Sequence, residues 1–420
     1  MKKFWCLFLI AFLLLGCVTE PDAPVSVVSP VPETPATVEV TAAPDTPSVT
    51  QAPTVPPTPE PTPEPTRSPE QLLQDYIDGM STEEKIGQLC MFGFRGTTEI
   101  SGEFRTILAE YHIGNVILYG QNMVRTNSDG GFRQCKKLTD SIRGAGKSEI
   151  PLLISTDVEG GRVTRFDWDE TLLSARSLGS RSKQAARDQF RYIAEGLVRA
   201  GINVDLAPCL DIAKDPDATF LKKRIISSDE TVAAQIGVAC IEGLHEGGCL
   251  SVVKHFPGHG ATSADSHEST PEVRKTLDAL LAYELVPFCE ALPYADGVMV
   301  AHILYPRIDG THIASQSSVF ITDLLRGELG FEGIVMSDDF RMAGLRKQTS
   351  IRAGAVQFIL AGGDLILCGA EHSYQREILE GLYAAVEDGT ISEQRLNESV
   401  YRILSAKMRA TGWNPFENED

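Results

Sequence analysis

The sequence predicts an α/β fold, a single (β/α)8 TIM-type barrel preceded by a disordered Pro/Thr-rich linker. The first observation behind this is where the prolines fall: 15 of the 24 lie from Pro21 to Pro69, among Thr, Val, Ala, Glu and Ser. Such a segment cannot bury a core and reads as a partly polyproline II tether. The second is what remains: roughly 350 residues are left to fold, inside the range of about 200 to more than 400 that one elaborated barrel occupies. The third is alternation, because eight short apolar, β-branched runs are separated mostly by helical stretches.

In chain order, Met1-Lys2-Lys3 and the apolar stretch 4–15 form a charged n-region and an h-region too short for a confident membrane span. The stretch ends Leu14-Leu15-Gly16-Cys17, which resembles a bacterial lipoprotein signal, with Cys17 as the lipid-bearing N-terminus after cleavage. An uncleaved anchor or an ordinary signal peptide is the alternative, and each reading exports the folded part. The expected organisation is a signal peptide over 1–17, a linker over 18–69 and a catalytic domain over 70–420. Extended at about 3.1 Å per residue, the linker would reach on the order of 150 Å from a membrane, which suits a cell-wall substrate.

From residue 68 the pattern changes. The stretch 69–80 reads as a helix, and Ser81-Thr82-Glu83-Glu84 supplies a cap with acidic residues in the next first turn. Strands are predicted at 87–92, 114–118, 150–155, 202–206, 250–253, 297–300, 333–336 and 363–367, with helices including 183–200, 230–245, 277–292, 322–329 and 351–361. Alternation of this kind calls for a parallel sheet, and eight units call for closure. An open doubly wound sheet is the rival.

Composition limits the partners. The formal charge is −19 and the folded part has no basic block beyond Lys222-Lys223-Arg224, which argues against nucleic acid. Of nine cysteines, Cys6 and Cys17 lie in the leader; the other seven are widely spaced without C-x-x-C pairs and read as small buried hydrophobes.

Polar residues concentrate where the strands end. After the fifth strand comes Lys254-His255-Phe256-Pro257-Gly258-His259-Gly260, then Asp265-Ser266-His267, a rigid, cation-rich loop at the rim where barrels carry their catalytic groups. The third strand ends with Asp157, Glu159, Gly160, Gly161, Arg162 and Arg165, and the fourth with Asp211. The seventh ends with Asp338 and Asp339; a carboxylate there serves as a nucleophile or metal ligand, while a helix cap fits Asp339 better than Asp338. His255, His259, Asp265 and His267 also admit a zinc reading. Against it, Pro257 and Gly258 forbid the helix that an H-E-x-x-H site requires.

Taken together, KHFPGHG with DSH, VEGGRVTR, APCLDI, AHILYP and MSDDF occur in the order found in glycoside hydrolase family 3, and the chain from about 72 to 413 resembles its β-N-acetylglucosaminidase branch. The resemblance implies a retaining, two-step displacement at a (β/α)8 barrel. It makes Asp338 the nucleophile, His267 the general acid and then base, and Asp265 the partner that orients the imidazole. It assigns Asp157, Arg165, Arg224, Lys254 and His255 to sugar hydroxyls and Asp211 to bracing the site, while His259 and His302 are left as structural residues. A histidine replacing one of the two usual carboxyl groups fits the chemistry, since imidazole ordinarily titrates near neutrality. No metal and no organic cofactor is expected.

Three departures bear on the aglycone side and on Arg224: Asp157-Val158-Glu159 for Asp-Gln-Glu, Asp338-Asp339-Phe340-Arg341-Met342 for Asp-Asp-Leu-Ser-Met, and Arg224-Ile225-Ile226 for Arg-Ser-Phe. The expected activity is release of terminal N-acetylglucosamine from cell-wall-derived glycans or muropeptides by a membrane-anchored enzyme outside the cytoplasm. The alternatives are a phosphorylase of the same family and a tethered sugar-binding lipoprotein without turnover.

Overall fold

A computed structural model describes residues 67–146 and 148–416. The leader, Cys17 and nearly all of the predicted linker lie outside the described residues. Ten strands occur among them: β1 (Cys90–Gly93), β2 (Asn115–Ile117), β3 (Leu153–Thr156), β4 (Val204–Asp205), β5 (Leu250–Phe256), β6 (Gly297–Val300), β7 (Leu304–Tyr305), β8 (Asp309–Ile313), β9 (Ile334–Ser337) and β10 (Ile366–Cys368). Eight form one parallel sheet in the order β10-β1-β2-β3-β4-β5-β6-β9. The last edge meets the first through a parallel bridge between Met336 and Leu365, with Ser337 N–H donating to Leu365 O at 3.0 Å. The sheet therefore closes, and the doubly wound alternative is excluded.

Every strand of the barrel is fully buried along its length. This is why they read as near-continuous apolar runs instead of alternating ones. The helices between them carry an apolar face inward. In Lys183–Arg199, for example, Ala186, Phe190, Ile193, Ala194 and Leu197 are buried at helical spacing. The predicted cap at Ser81 is present as a capping box: Ser81 Oγ accepts from Glu84 N, and Glu84 Oε2 accepts from Ser81 N.

Several predicted boundaries move. The first strand starts at Cys90, not at 87, because Thr82–Gln88 continues as helix. The fourth shrinks to two residues where the polar Asn203 turns its side chain to the backbone of 152 and 154. The helix predicted over 277–292 is broken into Leu277–Leu281 and Val286–Ala291, with Pro287 in the first turn of the second, where its missing N–H costs nothing. The hairpin β7–β8 was not predicted; its exposed Gly310 and Thr311 leave no apolar alternation to read. All seven cysteines of the described residues are free, and six are buried, as their apolar settings implied.

Candidate active site

The site is built where β3, β4, β5 and β9 end. In a regular strand Lys254 and His255 would point to opposite faces. The register of β5 against β6 shifts between Lys254 and Phe256, so that one residue is inserted at His255. A bulge re-aims side chains in this way, and both residues line the same cavity of about 320 Å³. After β3, Asp157 and Glu159 sit two apart with the fully buried Val158 between them, so both carboxylates face the cavity.

These groups form an alternating chain of charge. Lys254 Nζ lies 2.9 Å from Asp157 Oδ1 and 2.7 Å from Glu159 Oε1. Arg165 Nη2 donates to Asp157 Oδ2 at 2.7 Å, and Arg224 donates to both Glu159 oxygens at 2.8 Å. Burial works against all five charges, but the opposite charges prevail. Asp157 and Glu159 are held well below the usual carboxylate range, and Lys254 and Arg224 are pushed above theirs. Arg165 reaches its partner from a left-handed backbone, φ 58°, a conformation that costs energy and persists where the surroundings impose it.

His255 is fixed from its far side. Its Nδ1 donates to Asp211 Oδ2 at 2.6 Å, leaving Nε2 toward the cavity, 3.5 Å from Arg224 Nη2. Asp211 therefore braces the site from full burial, as the resemblance implied.

Asp338 sits at the end of β9, its N–H donating to Val300 O at 3.1 Å and its Oδ1 accepting from Asp339 N at 2.8 Å. Burial raises its carboxyl, but the rings of His255 and His302, that backbone N–H and the ring of His267 outweigh it and hold the group below its ordinary value. Across the cavity mouth, His267 Nδ1 donates to Asp265 Oδ1 at 2.8 Å. This leaves Nε2 without a protein partner among the described residues. The side chains of His267 and Asp265 are 66% and 31% exposed, so this pair stands at the solvent edge while Asp338 lies inside.

All eight residues expected to act are thus in one place: Asp157, Arg165, Arg224, Lys254, His255, His267 and Asp338 line the cavity, and Asp265 holds His267 from behind. Sequence reasoning missed three others. Glu159, in sequence only one more carboxylate at a strand end, accepts from both Lys254 and Arg224. Tyr119 and Arg341 also line the cavity, and both engage Asp339: Tyr119 OH donates at 2.8 Å and Arg341 donates through Nε and Nη2. Asp339 is accordingly not the cap of the next helix, whose N-cap Met342 makes no side-chain bond. The departure from Ser to Arg341 was the one available signal. The basic triplet splits: Arg224 joins the site, while Lys222 and Lys223 stay exposed and line an adjoining cavity of about 650 Å³ that shares Glu159, Val163 and Arg224.

The four residues that admit a zinc reading do not form one group. His259 Nε2 meets Ser266 Oγ at 2.7 Å, and Asp265 pairs only with His267. The donors that do approach one another among the described residues are Cys209, Asp211 and His255, whose ligand atoms lie within 4.8 Å. Asp211 there is already occupied by His255 Nδ1 and by His259 N–H.

Residues 81–406 match the model of the glycosyl hydrolase family 3 N-terminal domain. The chain is 34% identical over 309 residues to a β-hexosaminidase of Idiomarina loihiensis, covering 71% of this chain and 89% of that one. It is 31% identical over 344 residues to the β-hexosaminidase LpqI of Mycobacterium tuberculosis, covering 78% and 83%. Among solved structures, the family 3 β-N-acetylglucosaminidase of Paenibacillus sp. str. FPU-7 superposes with a TM-score of 0.75 at 36% identity. That match covers 79% of this chain and 63% of the other, so the present chain spans less than two thirds of that protein. On its closed barrel, its strand-end motifs and this match, the chain belongs to glycosyl hydrolase family 3.

Proposed function

We propose that the protein is a retaining exo-β-N-acetylglucosaminidase that removes terminal N-acetylglucosamine from cell-wall-derived glycans. The observation that carries this reading is the opposition of a half-buried Asp338, its carboxyl held below the ordinary value, and the His267–Asp265 pair at the solvent edge across a cavity lined by hydrogen-bonding side chains. The names of the relatives support the choice of sugar.

In the first step a carboxylate oxygen of Asp338 attacks the anomeric carbon. The glycosidic C–O bond breaks, its electron pair leaves with the aglycone oxygen, and that oxygen takes the proton from His267 Nε2. The product is a glycosyl ester of Asp338 and a neutral alcohol. In the second step water gives a proton to the same nitrogen and its oxygen attacks the anomeric carbon, which returns Asp338 to the carboxylate. Asp265 stabilises the imidazolium present before the first step and after the second; the hydrogen bonds from His267 keep its own carboxyl low despite partial burial. Arg165, Arg224 and Lys254 offer donors to sugar hydroxyls, Asp157 and His255 Nε2 offer acceptors, and the charge chain fixes the charged groups before substrate arrives.

The leader supports placement outside the cytoplasm on a lipid at Cys17, with 18–69 as the tether and 70–420 as the catalytic domain. Detergent-phase partitioning lost on Cys17→Ala is the expected result, and partitioning retained by that variant refutes lipidation there.

The activity is tested by release of p-nitrophenol from the N-acetyl-β-D-glucosaminide beside the β-D-glucoside, in phosphate-free buffer. Preference for the acetamido sugar is expected. Preference for the glucoside refutes the sugar assignment, and binding without turnover refutes the enzyme. Sugar 1-phosphate as the main product once phosphate is added assigns the reaction to a phosphorylase instead.

A further inference from the structure

We infer that His259 and Ser266 are positioning residues that hold the loop bearing Asp265 and His267 in register with the sugar-binding His255. This rests on the reading of His267 as acid and base. The relay starts at Asp211, whose two oxygens have different duties. Oδ2 accepts from His255 Nδ1 at 2.6 Å, and Oδ1 accepts from the backbone N–H of His259 at 2.6 Å. The His259 ring then extends to Ser266, with Nε2 and Oγ 2.7 Å apart. Ser266 is the residue between the two members of the acid/base pair.

The contrast in burial along three consecutive residues is what points to positioning. Asp265 and His267 stand at the solvent edge, while Ser266 between them is 1% exposed, as is His259. The backbone of Ser266 is held as well: its carbonyl accepts from Gly344 N at 2.9 Å, and Thr270 Oγ1 donates to Gly344 O at 2.9 Å. Gly344 lies in the segment that follows Asp338. The loop is therefore anchored at the one residue that separates the base from its orienting carboxylate, and anchored to the elements that carry both the nucleophile and His255.

The ring of His259 has one polar contact. His259 Nδ1 is buried without a partner. Nδ1 is unpaired in either tautomer, so the contact between Nε2 and Ser266 Oγ is the ring's one hydrogen bond. Burial also pushes the ring down to about 4, so it stays neutral at ordinary pH and adds no charge beside His267.

A general acid displaced by about 1 Å costs on the order of 10²-fold in rate. The test compares the phenyl and 2,4-dinitrophenyl N-acetyl-β-D-glucosaminides, the second with azide to replace water in the second step. Dinitrophenolate leaves without a proton and azide attacks without a base, so this substrate bypasses His267. Variants Ser266→Ala, His259→Leu and His259→Gln are made in the full chain. Ser266→Ala and His259→Leu should lose about 10- to 100-fold in kcat on the phenyl glycoside with little change in KM. On the dinitrophenyl glycoside with azide both retain wild-type kcat. His259→Gln, whose side-chain amide reaches the place of Nε2 and can bond Ser266 Oγ, restores the phenyl activity.

Ser266→Ala removes a single oxygen and keeps the test decisive if His259→Leu fails to fold. Equal losses on both substrates, or no loss on either, overturn the relay. A wild-type enzyme that cleaves neither glycoside refutes the reading of the site instead.

Discussion

Replacing Lys254 with methionine removes one cation and leaves two carboxylates, Asp157 and Glu159, in a site where all three side chains are at most 12% exposed. Taking away one member of a buried ion pair costs about 3–5 kcal/mol, because the other charge stays buried without compensation. Here each carboxylate keeps one arginine, Arg165 or Arg224, which places the loss at the lower end, about 3 kcal/mol. The pH dependence identifies the cause. In the native protein both carboxyls are held below their ordinary range. They therefore contribute stability above the unfolded-state pKa, and this is lost as pH falls through the depressed folded values. Without Lys254 burial is less opposed, both folded pKa values rise, and the contribution shrinks. The deficit relative to wild type is thus largest at pH 7 and smaller near pH 4, where the variant's carboxyls take up protons. Urea unfolding of both proteins at the two pH values measures it. A deficit below about 1 kcal/mol at pH 7, or one of equal size at both pH values, would show that Lys254 does not offset the buried charge of Asp157 and Glu159.

Because His255, His302, the Asp339 N–H and His267 outweigh burial at Asp338, the acid limb of kcat/KM should fall below the ordinary value of 3.8, read from a pH–rate profile on enzyme shown to remain folded; a limb well above it contradicts the assignment. Asp265→Ala removes the partner of His267 Nδ1, and kcat should fall about 10²-fold or more while KM moves little, as steady-state kinetics will show. Gly260→Ala would set a methyl group 2.1 Å from Ile212 O, an overpacking worth about 1–3 kcal/mol in thermal or urea unfolding, whereas Gly102→Ala meets nothing within 4 Å and should be neutral or stabilising. Exhaustive chelation should leave turnover unchanged, since both steps use side chains and water alone; loss of activity restored by zinc would direct attention to Cys209, Asp211 and His255.

The barrel was legible because its strands are buried on both faces, so each reads as an apolar run of strand length. Val252, Val253, Val298 and Val300 illustrate the signal, all 5% exposed or less. It fails where a strand is held by polar side chains. Asn203 and Asp205 flank or end β4 and spend their side chains on backbone groups of neighbouring segments. The site residues were legible for a different reason: Lys254, His255, Asp157 and Asp338 are charged or polar groups directly beside apolar runs, where only a strand end can place them. What the sequence does not carry is pairing across distance. Glu159 and Arg224 are 65 positions apart, and Tyr119 and Asp339 are 220 apart. Neither local spacing nor composition brings such residues together; only closure of the barrel does. The His259–Ser266 bond, seven positions long, was hidden by the turn between them, since a histidine after Pro257 and Gly258 has no periodicity to reveal its direction.

Trapping the covalent intermediate on Asp338 decides whether that carboxylate is the nucleophile. The protein is incubated with a 5-fluoro N-acetylglucosaminyl fluoride, digested and examined by mass spectrometry. A glycosyl adduct is expected on the peptide containing Asp338 and absent from Asp338→Ala, together with β-anomer as the first product seen by NMR. An adduct on another residue, or α-anomer as the first product, would contradict that assignment.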